Sequence, residues 1–386
     1  MLRSVALDLS GETFAAVYHL SGGEEEAYAG ALDICIEQTV EFPSDLLPEG
    51  DIREQLVGRL ASFRELGAHH FEAVIHYPVE VTGWELPQLL NVAFGNSSMK
   101  AGIRLARLEL SPSLLGVFKG PRFGRQGLRT LLDVPQRPLL CTALKPLGLP
   151  AAELADLAYR FALGGIDIIK DDHGLADQPF ARYEERVQRC AAAVLRANRE
   201  TGGRCIYIAN LVAPADQLVE RALFARQAGA GALMASPGLG GWDAMRQLAE
   251  DDRVALPILS HPALQGSSVT HPDGGISHYA LFGQIARLAG ADAAIFPNYG
   301  GRFPFSEEDC RAIVEGTAVP MGPIKPSFPV PGGGMSLQRL PEMLDFYGRE
   351  GILLIGGDLH RHGPDLVATC RRFRRLVEDG DQGRSR

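Results

Sequence analysis

The chain has 386 residues, of which 46% are hydrophobic and 22% charged, with a formal net charge of −9 at pH 7. That balance belongs to a globular protein longer than one typical domain, and an acidic chain without a dense Lys/Arg cluster in its body argues against nucleic acid as the main partner. No stretch approaches the ~18 apolar residues of a membrane span, the N-terminus lacks a signal-peptide pattern, and the six cysteines form no Cys-x-x-Cys pair or zinc spacing. A soluble, cytoplasmic protein with free thiols and no membrane partner is expected.

In chain order, the pattern predicts a strand over residues 13–20, a helix near 24–37, a helix-like stretch over 52–66, and strands over 71–77 and 104–110. These make a small α+β domain of ferredoxin-like type over 1–117. Gly120-Pro121-Arg122-Phe123-Gly124 punctuates the chain, and a second domain is read over 118–386. There, short apolar runs at 139–144, 166–169, 205–211, 232–235, 256–260, 293–296, 324–330 and 352–355 alternate with helical stretches such as 151–162 and 182–199. Such a repeat predicts an α/β fold, a (β/α)8 TIM barrel of about 250 residues. An open doubly wound sheet can also be written from this pattern, although its usual Gly-x-Gly-x-x-Gly after the first strand is missing. Arg371, Arg372, Arg374 and Arg375 form one basic knot, read as the solvated face of a terminal helix.

The chemistry is concentrated at Lys170-Asp171-Asp172-His173, where an apolar strand ends in a lysine, two carboxylates and an imidazole. Strand alternation places Lys170 and Asp172 on one face and Asp171 on the other. Taken alone, a Lys-Asp-Asp string is also compatible with a satisfied ion pair.

Lys170-Asp171-Asp172-His173, followed by Gln178-Pro179-Phe180, resembles the metal-binding Lys-Asp-Asp-Glu segment of the large subunit of ribulose-bisphosphate carboxylase. The resemblance extends over nearly the whole chain, which is identified as a RuBisCO-like member of that family. It implies Mg²⁺ or another divalent metal held by Lys170, Asp172 and His173, with carbon dioxide bound as a carbamate on Lys170. His173 stands where the family has glutamate, and Mg²⁺ prefers oxygen ligands, so the metal's identity stays open.

The resemblance extends to the other strand ends. Thr142-Ala143-Leu144-Lys145-Pro146 is similar to the segment carrying the family's enolising lysine, although the register slips by one. Lys145 is thus the candidate base, with a phosphate clamp as its alternative role. Asn210 is similar to a family asparagine near the metal, with capping as the other reading. His261 matches a family histidine, but the phosphate-binding arginine after it is replaced by Pro262. His278 matches a histidine that holds the second phosphate, and losing the arginine implies one phosphate or a different far-end group.

Asn298-Tyr299-Gly300-Gly301-Arg302-Phe303 replaces the mobile lysine loop, so carbon dioxide fixation is not expected. Gly333 and Gly334 in one loop and Gly356 and Gly357 in another resemble the family's main phosphate site, where glycines let backbone N–H groups approach an anion. In the first domain, Glu37 and Asn91 resemble residues that reach a neighbouring subunit's barrel, which implies a homodimer with shared active sites.

The expected activity is decarboxylation of a phosphorylated keto sugar acid through a metal-stabilised enediolate, of the 3-oxo-isoapionate 4-phosphate type. The alternative within the family is an enolase or isomerase of a methylthio-sugar phosphate in methionine salvage. A non-catalytic, phosphometabolite-binding or regulatory protein is the alternative of another class, motivated by the missing glutamate.

Overall fold

The computed structural model describes residues 6–384, and the chain divides into two compact units. The first comprises the chain up to Lys119 together with Gln265–Ile285 and Val319–Ile324. Its sheet contains β1 (Thr13–Ser21), β2 (Arg59–Gly67), β3 (His70–Pro78) and β4 (Ile103–Glu109), with helices Glu24–Glu37 and Leu86–Phe94 between strands. The spatial order β4-β1-β3-β2 is antiparallel throughout. This βαββαβ arrangement is of the ferredoxin-like type expected from the sequence. Helix Glu24–Glu37 buries Ala27, Ala31, Ile34 and Cys35 at helical spacing.

The stretch read as helical over 52–66 is a single turn, Ile52–Leu56, followed by β2. Its apolar residues do recur at helical spacing, but Gly58 breaks the run. A Cβ there would meet the Tyr77 ring at 2.9 Å and the Cys35 backbone at 3.0 Å, and the following residues pair with β3 from Arg59 opposite His76 onward. Long-range pairing overrode local periodicity.

Residues 265–285, read from the sequence as part of the barrel, group with the first unit. The short strand β10 (Gly275–Ile276) runs parallel to β4. The Gln284 amide accepts from the Leu108 N–H (2.8 Å) and donates to the Leu108 carbonyl (2.7 Å).

The second unit is a closed barrel of eight strands: β5 (Leu139–Leu144), β6 (Ile168–Asp171), β7 (Ile206–Asn210), β8 (Ala232–Ala235), β9 (Ile258–Ser260), β11 (Ala293–Pro297), β12 (Phe328–Gly332) and β13 (Ile352–Leu354). Every run expected as a strand overlaps one, with β6 and β12 ending two residues later than expected, and the pairs are parallel. Leu139, Cys141, Ile168, Ile206, Ile208, Met234, Leu259, Ile295, Phe328 and Val330 belong to one buried cluster. Alternation along β5, β6 and β7 carries this inward face to Lys145, Lys170 and Asn210 at the strand ends.

At the opposite end of the barrel, Asp167 accepts both Arg137 guanidinium nitrogens (2.6 and 2.8 Å) and Arg374 (3.0 Å). One arginine of the terminal basic knot is therefore a structural strut, not a solvated charge. The six cysteines are free and buried. Among the described residues no helix is long and apolar enough to cross a membrane.

Candidate active site at the strand ends

Lys170 is only 2% exposed, and its amine donates to the Asp171 carbonyl at 3.0 Å. Burial holds this amine below its ordinary value, more strongly than the neighbouring carboxylates raise it. A neutral amine is the form that adds to carbon dioxide, so the environment is chemically suited to carbamate formation. Asp172, also buried, lies with Oδ1 2.5 Å from Lys145 Nζ and 3.5 Å from His173 Nδ1. Burial pushes this carboxyl up, but hydrogen bonds from His173 and Lys145 and the charges of both lysines outweigh it and hold it well below the usual carboxylate range.

His173 stacks on His261, with ring centroids 4.7 Å apart and planes 13° from parallel. His261 Nδ1 accepts the Ala263 N–H at 3.2 Å, which leaves Nε2 to carry the proton of the neutral ring. Burial first, then the charges of Lys170 and His173, depress His261 to about 2, which favours the neutral ring. Lys145, Lys170, Asp172, His173 and His261 thus form one cluster on the ends of β5, β6 and β9.

Asp171 points the other way, as alternation requires. Its carboxylate accepts from Tyr207 Oη (2.8 Å), Arg186 Nε (3.1 Å) and the Asn210 N–H (3.1 Å). Burial lowers the Arg186 guanidinium's proton affinity, but the Asp171 charge, the Tyr207 phenol and the hydrogen bonds to both together outweigh it and hold it above the ordinary value. Sequence reading missed Arg186 and Tyr207. A signal was present for the arginine: it lies in the buried stripe Tyr183, Arg186, Val187, Cys190, Ala191 and Val194 of helix Tyr183–Thr201, where a charge needs a partner.

The other expected residues divide. Asn210 Nδ2 donates to the carbonyls of His173 (3.0 Å) and Leu175 (2.8 Å), holding the loop after β6, while its Oδ1 is buried without a partner. The Thr142 hydroxyl donates to the Ile355 carbonyl at 2.8 Å and ties β5 to the chain beyond β13. His278 belongs to the first unit, where its buried ring stacks on Phe282. Glu37 and Asn91 line a polar cavity of about 170 Å³ in that same unit. There Glu37 accepts from Asn96 at 2.9 Å, and Asn91 Nδ2 donates to Gln88 at 3.3 Å.

The two glycine loops are joined. Asp358 Oδ2 accepts the Leu337 N–H (3.0 Å) and lies 2.8 Å from His362 Nε2. Arg339 donates to the carbonyls of Tyr299 (3.2 Å) and Gly334 (3.4 Å), bracing the loops after β11 and β12. Gly333 has φ +92°, and a Cβ at Gly333, Gly356 or Gly357 would meet no protein atom within 4 Å, so the glycines border open space. Asp358 and Arg339 were not singled out in the sequence because loop contacts between distant segments leave no local pattern.

Among the described residues, no three His, Cys, Asp or Glu side chains are gathered to hold a metal. A carbamate on Lys170 would add oxygen donors beside Asp172 and His173. The buried, unpartnered Oδ1 of Asn210 fits an oxygen-rich centre, as does a lysine whose amine has one hydrogen bond. The donor set is compatible with a hard divalent ion modified by one nitrogen.

A family model described as "Ribulose bisphosphate carboxylase large chain, catalytic domain" matches residues 124–302. The chain is 38% identical to ribulose bisphosphate carboxylase-like protein 1 of Rhodopseudomonas palustris, covering 95% of this chain and 98% of the relative. It is 39% identical to 5-methylthioribulose-1-phosphate isomerase of Rhodospirillum rubrum, covering 89% and 90%. The crystal structure of a Rubisco-like protein from Rhodopseudomonas palustris superposes with a TM-score of 0.86 at 37% identity, covering 95% of this chain and 97% of that one. With the barrel, the ferredoxin-like sheet and the Lys-Asp-Asp-His strand end in place, the chain belongs to the RuBisCO-like proteins of the ribulose-bisphosphate carboxylase large-chain family.

Proposed function

We propose that this protein is an enolising enzyme that moves a proton beside the ketone of a phosphorylated sugar, with a methylthio-sugar phosphate as its substrate class. The observation that carries the reading is the Lys145–Asp172 contact beside buried Lys170. A basic group, a carboxylate and a carbamate-competent amine stand together at the strand ends, where barrel enzymes do their chemistry. The Rhodospirillum rubrum relative, named an isomerase of 5-methylthioribulose 1-phosphate, supports this choice over the decarboxylation expected from the sequence.

In the proposed reaction Lys145 transfers the proton at the carbon next to the ketone, and the neutral His261 Nε2–H donates to a substrate oxygen. The glycine loops after β12 and β13 receive the phosphate on backbone N–H groups. A divalent metal held by carbamylated Lys170, Asp172 and His173 would polarise the ketone and stabilise the enediolate. The working assembly is proposed as a homodimer in which Glu37 and Asn91 of one subunit serve the partner's barrel. Mixing inactive Glu37→Gln and Lys145→Ala chains should then restore activity once subunits exchange.

The experiment that tests the reaction is incubation with 5-methylthioribulose 1-phosphate in D₂O, with Mg²⁺ and bicarbonate. Deuterium should enter at the carbon beside the ketone. Carbon dioxide release from phosphorylated keto sugar acids, without such exchange, would restore decarboxylation. Binding of the sugar phosphate with neither outcome would indicate a regulatory protein.

A further inference from the structure

We propose that Asp171 is a positioning residue that, with Arg186 and Tyr207, locks the end of β6 so that Lys170 and Asp172 are held at a fixed depth on the barrel's inner face. The inference rests on the reading that Lys170 and Asp172 form the working cluster, and it gives the intervening carboxylate a duty other than ligation.

The Asp171–Arg186 pair has no solvent exposure on either side chain. One carboxylate oxygen is taken by Tyr207, and the other is shared by Arg186 and the Asn210 N–H. Arg186 also donates to the Ala181 carbonyl at 2.8 Å, and Asn210 holds the loop after β6 through His173 and Leu175. One carboxylate therefore connects the end of β6, the start of helix Tyr183–Thr201 and the end of β7. Filling this space would not need charge, since well-packed apolar residues replace buried ion pairs at little or no cost. What the polar set adds is direction. Because alternate side chains leave opposite faces of a strand, fixing Asp171 outward fixes both neighbours inward. Polar clusters that do chemistry need placement to within ~0.5 Å.

Tyr207→Phe removes one donor and keeps the ring. The expected result is a fall in kcat of roughly 10- to 100-fold, as for partners that orient metal ligands. KM for the sugar phosphate should be unchanged, and the Kd for Mg²⁺, measured by calorimetry with bicarbonate and no substrate, should weaken by a similar factor. Asp171→Asn should deepen both effects. If that variant fails to fold, Tyr207→Phe decides alone. A Tyr207→Phe protein that melts at a lower temperature yet keeps wild-type Mg²⁺ affinity and kcat would make the network merely structural and overturn the proposal. If the enolisation reading fails, the Mg²⁺ isotherms still test the positioning role. If Mg²⁺ does not bind, kcat on whatever substrate is turned over tests it, and a wild-type chain showing neither would overturn the proposal.

Discussion

Lys145 Nζ and Asp172 Oδ1 stand 2.5 Å apart, bringing the residue just past one barrel strand onto the residue just past the next. The contact follows from register: Ala143 pairs with Lys170 and Leu144 with Asp171, so continuing both chains sets Lys145 beside Asp172. If Asp172 holds a metal as proposed, the Lys145 cation would share its carboxylate oxygen and couple proton transfer to ion binding.

Lys170→Ala should eliminate Mg²⁺ binding and turnover while leaving the fold intact. The amine has one hydrogen bond, to a backbone carbonyl, and it is buried at an energetic cost, so its removal should not lower the melting temperature greatly. Calorimetry with bicarbonate and a thermal melt are the checks. Unchanged Mg²⁺ affinity would rule out the carbamate.

His173→Glu should tighten Mg²⁺ binding by about tenfold, because it restores an all-oxygen donor set for a hard ion. The same change removes the stack on His261, so kcat need not rise with affinity. Parallel Mg²⁺ and Mn²⁺ titrations of both proteins would read this, and an Mg²⁺ affinity that did not move would mean His173 is no ligand.

Gly357→Ala should fold normally and raise KM for the phosphorylated substrate about tenfold, by keeping the backbone from an anion. The new Cβ meets no protein atom within 4 Å and the backbone is not in the left-handed region, so any effect belongs to the ligand. An unaltered KM would place the phosphate elsewhere.

Asp292 gives a pH prediction away from the site. Burial pushes its carboxyl up to about 6, against the pull of hydrogen bonds from the Gly124, Ile258 and Phe123 N–H groups. A carboxyl raised in the folded state binds more protons there than in the unfolded chain between about pH 4 and 6. Its contribution to stability therefore grows as pH falls through that window, by about 3 kcal/mol at most. The stability of wild type relative to Asp292→Asn, followed by urea unfolding from pH 7 to 4, should increase. A difference that stays constant or shrinks would refute it.

The strands of the barrel were legible because buried parallel strands are continuous apolar runs, and the candidate cluster stood out because polar residues interrupt those runs at their ends. Alternation alone separated Asp171 from Lys170 and Asp172. Residues whose partners are far away in sequence were not legible. Arg186 needed the idea that a charge in an apolar helical stripe implies a buried acid, and Asp358 needed the path of two loops. β2 was misread because Gly58 acts through Tyr77 and Cys35, neither of them near it in the chain.

The return of residues 265–285 to the first unit makes the chain hard to divide. A fragment starting at residue 118 would contain β10 without the strand it pairs with, and Gln284 without the Leu108 backbone that satisfies both ends of its amide. The barrel cannot be excised or exchanged by one cut. A recombinant that swaps only the N-terminal sheet must therefore also carry the matching segment 265–285 from the middle of the barrel sequence.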